Sequence, residues 1–178
     1  MAAATSSSPR TDFPPLLVFD LDYTLWPFDV DTDVSPPFTT RAGSVYDKRG
    51  RRCSPFPDVP AILARCASSP TVVAIASRTH DPDAAEALLR ELGWWTLLGL
   101  DAGRFQAHPS RGAKAKTGHF RDIFSATGYS AEDTLFFDDM HDNVEVGNDG
   151  GITSILLGHD GLTLKAFDAG LAAWRSKK

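Results

Sequence analysis

The stretch Leu16-Leu17-Val18-Phe19-Asp20-Leu21-Asp22-Tyr23-Thr24 decides the fold of this chain. Its first four residues form a short apolar run, which predicts a buried strand. Two carboxylates follow at once, so the strand would deliver Asp20 and Asp22 at its carboxyl end, where open α/β sheets bind ligands. Positions i and i+2 of an extended chain share one face, so both carboxylates can point into one crevice. A strand that simply runs into an acidic turn would give the same pattern.

A second acidic pair favours the functional interpretation over the acidic turn. Asp138 and Asp139 also follow an apolar run, Leu135-Phe136-Phe137, which predicts another strand. Two acidic pairs at strand ends are difficult to explain as solvated turns in both places. Brought together at one edge of a sheet, their oxygens are the hard ligands that Mg²⁺ prefers. The sequence therefore predicts a magnesium site.

Two further groups complete a set of residues suited to phosphoryl transfer. Residues 71–77 form an apolar run that ends in the hydroxyl of Ser77 and is followed by Arg78, and residues 113–120 carry Lys114 and Lys116. A hydroxyl can donate to a phosphate, and a lysine can neutralise its charge. Of the first two carboxylates, one can serve as nucleophile and the other as general acid and base.

Strands and helices alternate along the chain, which predicts an α/β fold with a parallel sheet and helices on both faces. Asp81-Pro82-Asp83 begins one helix, with Asp81 as its cap, and Gly93 ends it. Residues 26–57 are rich in Pro, Asp and Gly and predict a loop or hairpin over the site. The other predicted elements are helices at residues 59–67, after residue 116 and at 162–174, and a strand at 152–157.

Composition sets the broad class of the protein. The chain has 178 residues, which suit one domain, and a formal net charge of -5, which gives no general attraction to nucleic acid or anionic membranes. No apolar run approaches the roughly 20 residues that span a bilayer. Cys53 and Cys66 lack metal-type spacing and predict free thiols in a reducing, cytoplasmic compartment. We expect a flexible tail over residues 1–14, with a short transit peptide as the alternative, then one domain over residues 15–178, and a monomer.

The order of these motifs resembles the haloacid dehalogenase superfamily of aspartate-nucleophile phosphatases. The stretch 19–28 is more similar still to its magnesium-dependent phosphatase-one family, and the resemblance extends over roughly residues 15 to 174. It implies a three-layer, Rossmann-like domain with a central parallel sheet. Residues 22–71 and 77–116 are too short to hold a folded cap domain of ordinary size, so we expect no large cap. Further matches lie at residues 30–32, 36–38, 76–79 and 136–139.

The resemblance also implies a mechanism for the acidic residues. Asp20 would attack the phosphorus atom of a phosphomonoester and form an aspartyl-phosphate. Asp22 would protonate the leaving oxygen and then activate water, which requires a raised pKa. Mg²⁺ would be bound by Asp20, by the main-chain carbonyl of Asp22 and by Asp138.

The remaining site residues are assigned to phosphate binding. Ser77 would donate a hydrogen bond to a phosphoryl oxygen, and Arg78 would either hold the substrate phosphate or pair with a surface acid. Lys116 would neutralise charge on Asp20, because Lys116-Thr117-Gly118-His119-Phe120 resembles the K-x-x-H-F pattern of the family. Lys114 is the alternative lysine.

Four residues near these motifs keep more than one interpretation. Asp139 would bind the metal through water or orient Lys116, and Asp142 could cap a helix. Asn143 resembles a family position that follows the acidic pair, although a surface role fits equally well. Thr24 would tie down its loop through hydroxyl-to-backbone hydrogen bonds.

An uncapped site could admit either a phosphoprotein side chain or a sugar phosphate, and the resemblance implies hydrolysis of both phosphotyrosine and sugar phosphates. The alternatives are a D-x-D-x-T phosphoserine/threonine protein phosphatase and a non-catalytic domain that binds phosphorylated ligands. Some aromatic residues could line the site or simply pack the loop. These residues are Trp26, Phe28, Phe38 and Tyr46.

Overall fold

Parallel strands form the centre of the molecule in this computed structural model, which describes residues 12–109 and 115–178. The strands are β1 (Leu16–Phe19), β2 (Thr39–Arg41), β3 (Ser44–Tyr46), β4 (Val72–Ser77), β5 (Phe105–Ala107), β6 (Thr134–Asp138) and β7 (Thr153–Leu156). The helices are α1 (Val59–Ala67), α2 (Pro82–Glu91), α3 (Trp94–Leu97), α4 (Ala115–Thr127), α5 (His141–Asp149) and α6 (Leu164–Ser176).

The main sheet has the strand order β5-β4-β1-β6-β7, and each neighbouring pair is parallel. Phe19 at the end of β1 pairs with Ile75 of β4 on one side and with Phe137 of β6 on the other. This register carries the ends of three strands to the same edge of the sheet. β4 and β6 lie on opposite sides of β1, which is the arrangement that opens a crevice at the carboxyl ends of strands.

Helices cover both faces of this sheet, which gives three layers. Along β1, Leu17 and Phe19 face the larger apolar core with α1, α2 and α6, whereas Leu16 and Val18 face a smaller core that includes α4. All four side chains of β1 are fully buried. A strand that is buried on both faces must be apolar at every position, which explains the uninterrupted run in the sequence.

The predicted α/β fold with a central parallel sheet is confirmed. The predicted loop or hairpin over residues 26–57 contains the antiparallel pair β2 and β3, and no large cap domain is present in the part of the chain that the structure describes. Asp81 caps α2 as expected, since its Oδ1 accepts a hydrogen bond from Ala84 N at 2.9 Å.

The residues near the start of the described part contact the domain. The division into a tail and a domain at residue 14 stays a prediction, because residues 1–11 lie outside the described part. Within the described part, the Phe13 ring lies 6.1 Å from the Phe167 ring, and Thr71 Oγ1 donates to Pro14 O at 2.6 Å. None of the helices in residues 12–109 and 115–178 combines the length and apolar character needed to cross a bilayer.

Two helical glycines predict opposite effects on stability. A Cβ at Gly170 in α6 would lie 2.6 Å from Phe137 Cζ, whereas Gly118 in α4 has open space at that position. Alanine in a helix gains roughly 0.5–1 kcal/mol over glycine, but overpacking costs roughly 1–3 kcal/mol. Gly118→Ala should therefore raise the free energy of unfolding in urea, and Gly170→Ala should lower it. An equal gain for both variants would contradict the packing of α6 on β6.

Candidate active site

The ends of β1, β4 and β6 border one cavity of about 290 Å³ at the carboxyl edge of the sheet. The residues predicted from strand ends meet here. The cavity is lined by Asp20, Asp22, Tyr23, Asp29, Asp31, Ser77, Arg78, Thr79, His80, Asp139, Met140 and Asn143. Of the predicted site residues, Lys116 and Asp138 lie beneath this lining and are fully buried.

Lys116 joins three strands from its position in the first turn of α4. Its Nζ donates hydrogen bonds to Asp20 Oδ1 at 2.6 Å, to Asp138 Oδ2 at 2.5 Å and to Ala76 O at 2.6 Å. An ammonium group has three donors, so its hydrogen-bonding capacity is used in full. We call Asp20, Lys116 and Asp138 the Lys116 cluster. The alternative, Lys114, lies outside the described residues.

Burial and charge act against each other in the Lys116 cluster. Burial acts to lower the pKa of Lys116, but Asp20 and Asp138 outweigh it and raise that pKa, so the lysine stays charged. Burial raises the pKa of Asp20 to about 8, although Lys116 acts to lower it, and a divalent cation bound beside it would favour the ionised carboxylate. A buried charge is costly unless it is paired, and here the lysine pairs with a carboxylate from each of two strands.

Asp138 is held by groups from α5 and from the turn before it. Asn143 Nδ2 donates to both Asp138 oxygens at 3.1 Å, and Met140 N donates to Asp138 Oδ1 at 2.7 Å. Asn143 is therefore a buried partner of the acidic pair and not a surface residue. Met140 is the N-cap of α5 and Asp142 lies in its first turn, so the interpretation of Asp142 as a cap is wrong.

The chemistry of the strand ends suits a divalent cation. Asp20, Asp138 and Asp139 each offer a carboxylate oxygen, and these atoms lie within 4.8 Å of one another. Such a group of hard oxygen ligands fits Mg²⁺. Asp139 forms no hydrogen bond to Lys116, whose orientation instead follows from Asp20, Asp138 and Ala76 O.

Asp22 is held at the cavity by the loop that follows β1. Its Oδ1 accepts hydrogen bonds from Trp26 Nε1 at 2.7 Å and from Val30 N at 3.1 Å. The other oxygen has no hydrogen-bond donor among the residues that the structure describes. Burial raises the pKa of Asp22 to about 7, although the two hydrogen bonds act to lower it. The carboxyl group can therefore carry or release a proton near neutral pH.

Ser77 is the last residue of β4, Arg78 follows it directly, and both line the cavity. Ser77 is buried, and its Oγ accepts a hydrogen bond from Thr79 N at 3.3 Å. Within residues 12–109 and 115–178, the Ser77 hydroxyl donates to no acceptor and Arg78 forms no ion pair. Both groups line the cavity, so each keeps a donor for an anionic ligand.

The loop aromatics mostly pack and do not line the cavity. Trp26, Phe28 and Phe38 are buried in the larger core, and the rings of Trp26 and Phe28 stack at 5.6 Å. Tyr23 instead lies at the cavity with 46% of its surface exposed and with a φ of 55°. Such a φ is rare for a bulky residue and occurs where surrounding structure enforces it, often at functional sites.

The interpretation of Thr24 is wrong. Its Oγ1 is buried and has no hydrogen-bond partner in the described part of the chain. The loop is instead held by main-chain groups, because Thr24 N donates to Leu21 O at 3.1 Å and Leu162 N donates to Thr24 O at 3.0 Å.

Comparisons with known proteins agree with this fold and indicate a phosphatase. The family model described as Acid Phosphatase matches residues 12–177. Magnesium-dependent phosphatase 1 of Homo sapiens is 38% identical over 159 residues, which cover 89% of this chain and 85% of the human protein. A HAD-like hydrolase superfamily protein of Schizosaccharomyces pombe is 32% identical over 143 residues, with 76% of this chain and 81% of the yeast protein covered.

A solved structure shares the fold. It is the N-terminal part of a Bacteroides fragilis protein that contains a phosphatase domain and is complexed with Mg, with a TM-score of 0.58 and 18% identity. The match covers 90% of this chain and 40% of the bacterial one. The family match and the fold together define an α/β phosphatase domain. The chain belongs to the acid phosphatase family of HAD-like hydrolases, together with magnesium-dependent phosphatase 1, which confirms the resemblance found in the sequence.

Removing the positive charge of Lys116 should destabilise the protein. Lys116→Met leaves two buried carboxylates facing each other, and breaking a buried ion pair from one side costs about 3–5 kcal/mol. We expect a loss of this size in the free energy of unfolding of the metal-free protein at neutral pH. Lys165→Met changes an exposed lysine and should stay within about 0.5 kcal/mol of the unaltered protein. Equal stability of both variants would contradict the ion pairing of Lys116.

Proposed function

We propose that this phosphatase hydrolyses phosphomonoesters with the help of Mg²⁺ and through a phosphoryl group carried by Asp20. The observation that carries the proposal is the position of the Asp20 carboxylate. It lines the cavity, lies 2.6 Å from a buried lysine, and has an oxygen within 4.8 Å of oxygens of Asp138 and Asp139. A carboxylate placed in this way can meet a phosphate only if nearby positive charge offsets the repulsion.

The residues that would hold the ion are at the carboxyl edge of the sheet. We assign the side chains of Asp20 and Asp138 and the main-chain carbonyl of Asp22 as its ligands, with Asp139 nearby. When bound, Mg²⁺ supplies positive charge against the carboxylates and polarises the phosphoryl oxygens. The relatives named for magnesium dependence support this choice of ion.

Asp20 acts as the nucleophile in the proposed reaction. One of its carboxylate oxygens forms a bond to phosphorus while the bond from phosphorus to the leaving oxygen breaks. In the second step, water forms a bond to phosphorus and the bond from phosphorus to the Asp20 oxygen breaks. Orthophosphate is released and the Asp20 carboxylate is restored.

Asp22 moves the proton in both steps. In its protonated form it gives a proton to the leaving oxygen, and as a carboxylate it then takes a proton from the attacking water. Two features support this role: the pKa of Asp22 is raised to about 7, and its two hydrogen bonds fall on one oxygen and leave the other available.

The remaining donors bind the phosphoryl group. Ser77 would donate its hydroxyl proton to a phosphoryl oxygen, and Arg78 would hold a second oxygen or the phosphate of the bound substrate. Lys116 would balance the charge that accumulates around Asp20. Each of these groups lies at the cavity or directly beneath it.

The open cavity and the family support a proposal for the substrate class. A cavity without a large cap can admit a phosphotyrosine side chain or a sugar phosphate, and we propose both as substrate classes. Exposed Tyr23 and Met140 at its lining would contact the leaving group. The cytoplasmic location and the monomeric state stay predictions.

Replacement of the nucleophile should abolish turnover and keep the fold. We expect Asp20→Asn to lower kcat by at least about a thousandfold, because no carboxylate oxygen is left to attack phosphorus. Mass spectrometry after an acid quench should show one added phosphoryl group on the unaltered protein and none on the variant. Asp149→Asn, at an exposed helix end, is the control. Normal turnover in Asp20→Asn would remove Asp20 as the nucleophile.

Metal removal and a substrate panel test the ion and the substrate class together. Phosphotyrosine peptides, phosphoserine peptides and phosphorylated sugars are offered with Mg²⁺, with EDTA, and after Mg²⁺ is restored. We expect turnover of phosphotyrosine or sugar phosphates that EDTA abolishes and Mg²⁺ recovers, since the carboxylates otherwise repel the substrate. Turnover in EDTA would contradict the metal site. Cleavage of phosphoserine peptides alone would favour the protein serine phosphatase, and binding without cleavage the non-catalytic domain.

A further inference from the structure

Asp31 joins the two loops that border the cavity. It belongs to the loop after β1, yet its carboxylate accepts hydrogen bonds from the loop after β4. Thr79 Oγ1 donates to Asp31 Oδ1, His80 N donates to Asp31 Oδ2 at 2.9 Å, and Asp81 N donates to Asp31 Oδ1 at 3.0 Å. The His80 ring also lies close, with Nδ1 at 3.3 Å from Asp31 Oδ2.

Each end of this link leads to a residue of the proposed mechanism. On one side, Val30, the neighbour of Asp31, donates its main-chain N–H to Asp22 Oδ1 at 3.1 Å. On the other side, Thr79 donates its main-chain N–H to Ser77 Oγ at 3.3 Å. Asp31 thus stands between the residue that moves the proton and the residues that bind phosphate.

The Asp31 carboxylate is suited to this link because it is ionised. Partial burial acts to raise its pKa, but the hydrogen bonds from His80, Thr79 and Asp81 outweigh that effect and lower it. Its side chain is 21% exposed, so these bonds are partly shielded from water. Hydrogen bonds to a charged acceptor are stronger than those between neutral groups.

We propose that Asp31 is a positioning residue that fixes Ser77 and Arg78 relative to Asp22. The inference rests on the proposed function. Asp31 lies outside the Lys116 cluster and the candidate metal ligands. It does line the cavity, but its negative charge would repel a phosphate, so a favourable effect on phosphate binding would act through the loop after β4. A shift of about 1 Å in a group that holds a substrate can cost about a hundredfold in rate, which makes such a link consequential.

The hydrogen bonds of Asp31 can be removed without unfolding the helix that follows them. Asp81 caps α2 with its own side chain, and the apolar face of α2 is buried in the larger core through Ala84, Ala85, Leu88 and Leu89. Loss of the Asp31 bonds therefore leaves the helix and its packing in place. The change should be confined to residues 77–81, where the phosphate donors lie.

Orthophosphate binding tests the inference independently of turnover. Phosphate binding is measured by calorimetry with inorganic phosphate and Mg²⁺ on the unaltered protein, on Asp31→Ala and on Asp33→Asn. The last variant is the control, because Asp33 belongs to the same loop but lies outside the cavity lining. We expect Asp31→Ala to weaken phosphate binding by about tenfold and to lower kcat/KM at least as much, with Asp33→Asn within about twofold of the unaltered protein. The thermal unfolding midpoint is measured for each variant.

Variants of Thr79 test the same link from its other side. Thr79→Ser keeps the hydroxyl that donates to Asp31 and should keep phosphate binding, whereas Thr79→Val removes the donor and should weaken it. The double variant of Asp31→Ala and Thr79→Val should be less impaired than the sum of the two single variants, because both lose the hydrogen bond from Thr79 to Asp31, although Thr79→Val also loses the bond from Asp81 N to Thr79 Oγ1.

The possible outcomes separate this inference from the proposed function. Phosphate binding and kcat/KM within about twofold of the unaltered protein in Asp31→Ala would overturn the positioning role, as would full additivity with Thr79→Val. A fall in activity that only matches a fall in the folded fraction would also overturn it. If the unaltered protein binds phosphate but hydrolyses no ester, the proposed function is refuted. The effect of Asp31→Ala on phosphate binding can still be measured in that case.

Discussion

The buried ion pairing of Lys116 is the interaction on which the rest of the site depends. One ammonium group from α4 contacts the carboxylate of the residue after β1, a carboxylate from β6 and a main-chain carbonyl from β4. Lys116 is fully buried, so any partner that moved away would leave a charge without compensation in a medium of low polarity. The arrangement therefore fixes the ends of three neighbouring strands and one helix with respect to each other.

The register of the sheet explains why these groups meet. Phe19 of β1 pairs with Phe137 of β6, so Asp20, directly after β1, lies beside Asp138, the last residue of β6. Asp20 N also donates to Phe137 O at 3.0 Å. Strands buried on both faces hold this register firmly, because a slip by one residue would reverse which side chains enter each core. The less regular loops then supply Asp22, Ser77 and Arg78 around a rigid base.

The site residues at the strand ends could be predicted from the sequence, whereas the side-chain contacts within the loops could not. The apolar runs before Asp20, Ser77 and Asp138 give both the strand and the point where it ends, so their convergence follows from a parallel sheet. The role of Lys116 could be predicted only from the resemblance to a family, because two lysines at the start of a helix are equally consistent with a solvated surface. The fold class was predictable for the same reason as the strand ends, since periodicity and turn residues are local signals.

Side-chain contacts between distant loops leave no comparable signal. The bonds of Trp26 to Asp22 and of Asp31 to the loop after β4 depend on the path of the chain over residues 26–38, which has little regular structure. The same limit explains why Thr24 was wrongly assigned, because Ser and Thr hydroxyls only compete weakly for main-chain groups. Asn143 could be predicted in part. Its position after the acidic pair indicated a role in the site, but its contact with Asp138 depends on where α5 begins.

One measurement tests most directly whether the strand ends share a metal ion. Crystals of the protein are soaked in Mn²⁺, which takes the same oxygen ligands as Mg²⁺, and the anomalous difference density is calculated. We expect a peak between the carboxylates of Asp20 and Asp138. Density only at the exposed group of His141, Asp142 and Glu145 on α5, or no ion at the end of β1, would contradict it.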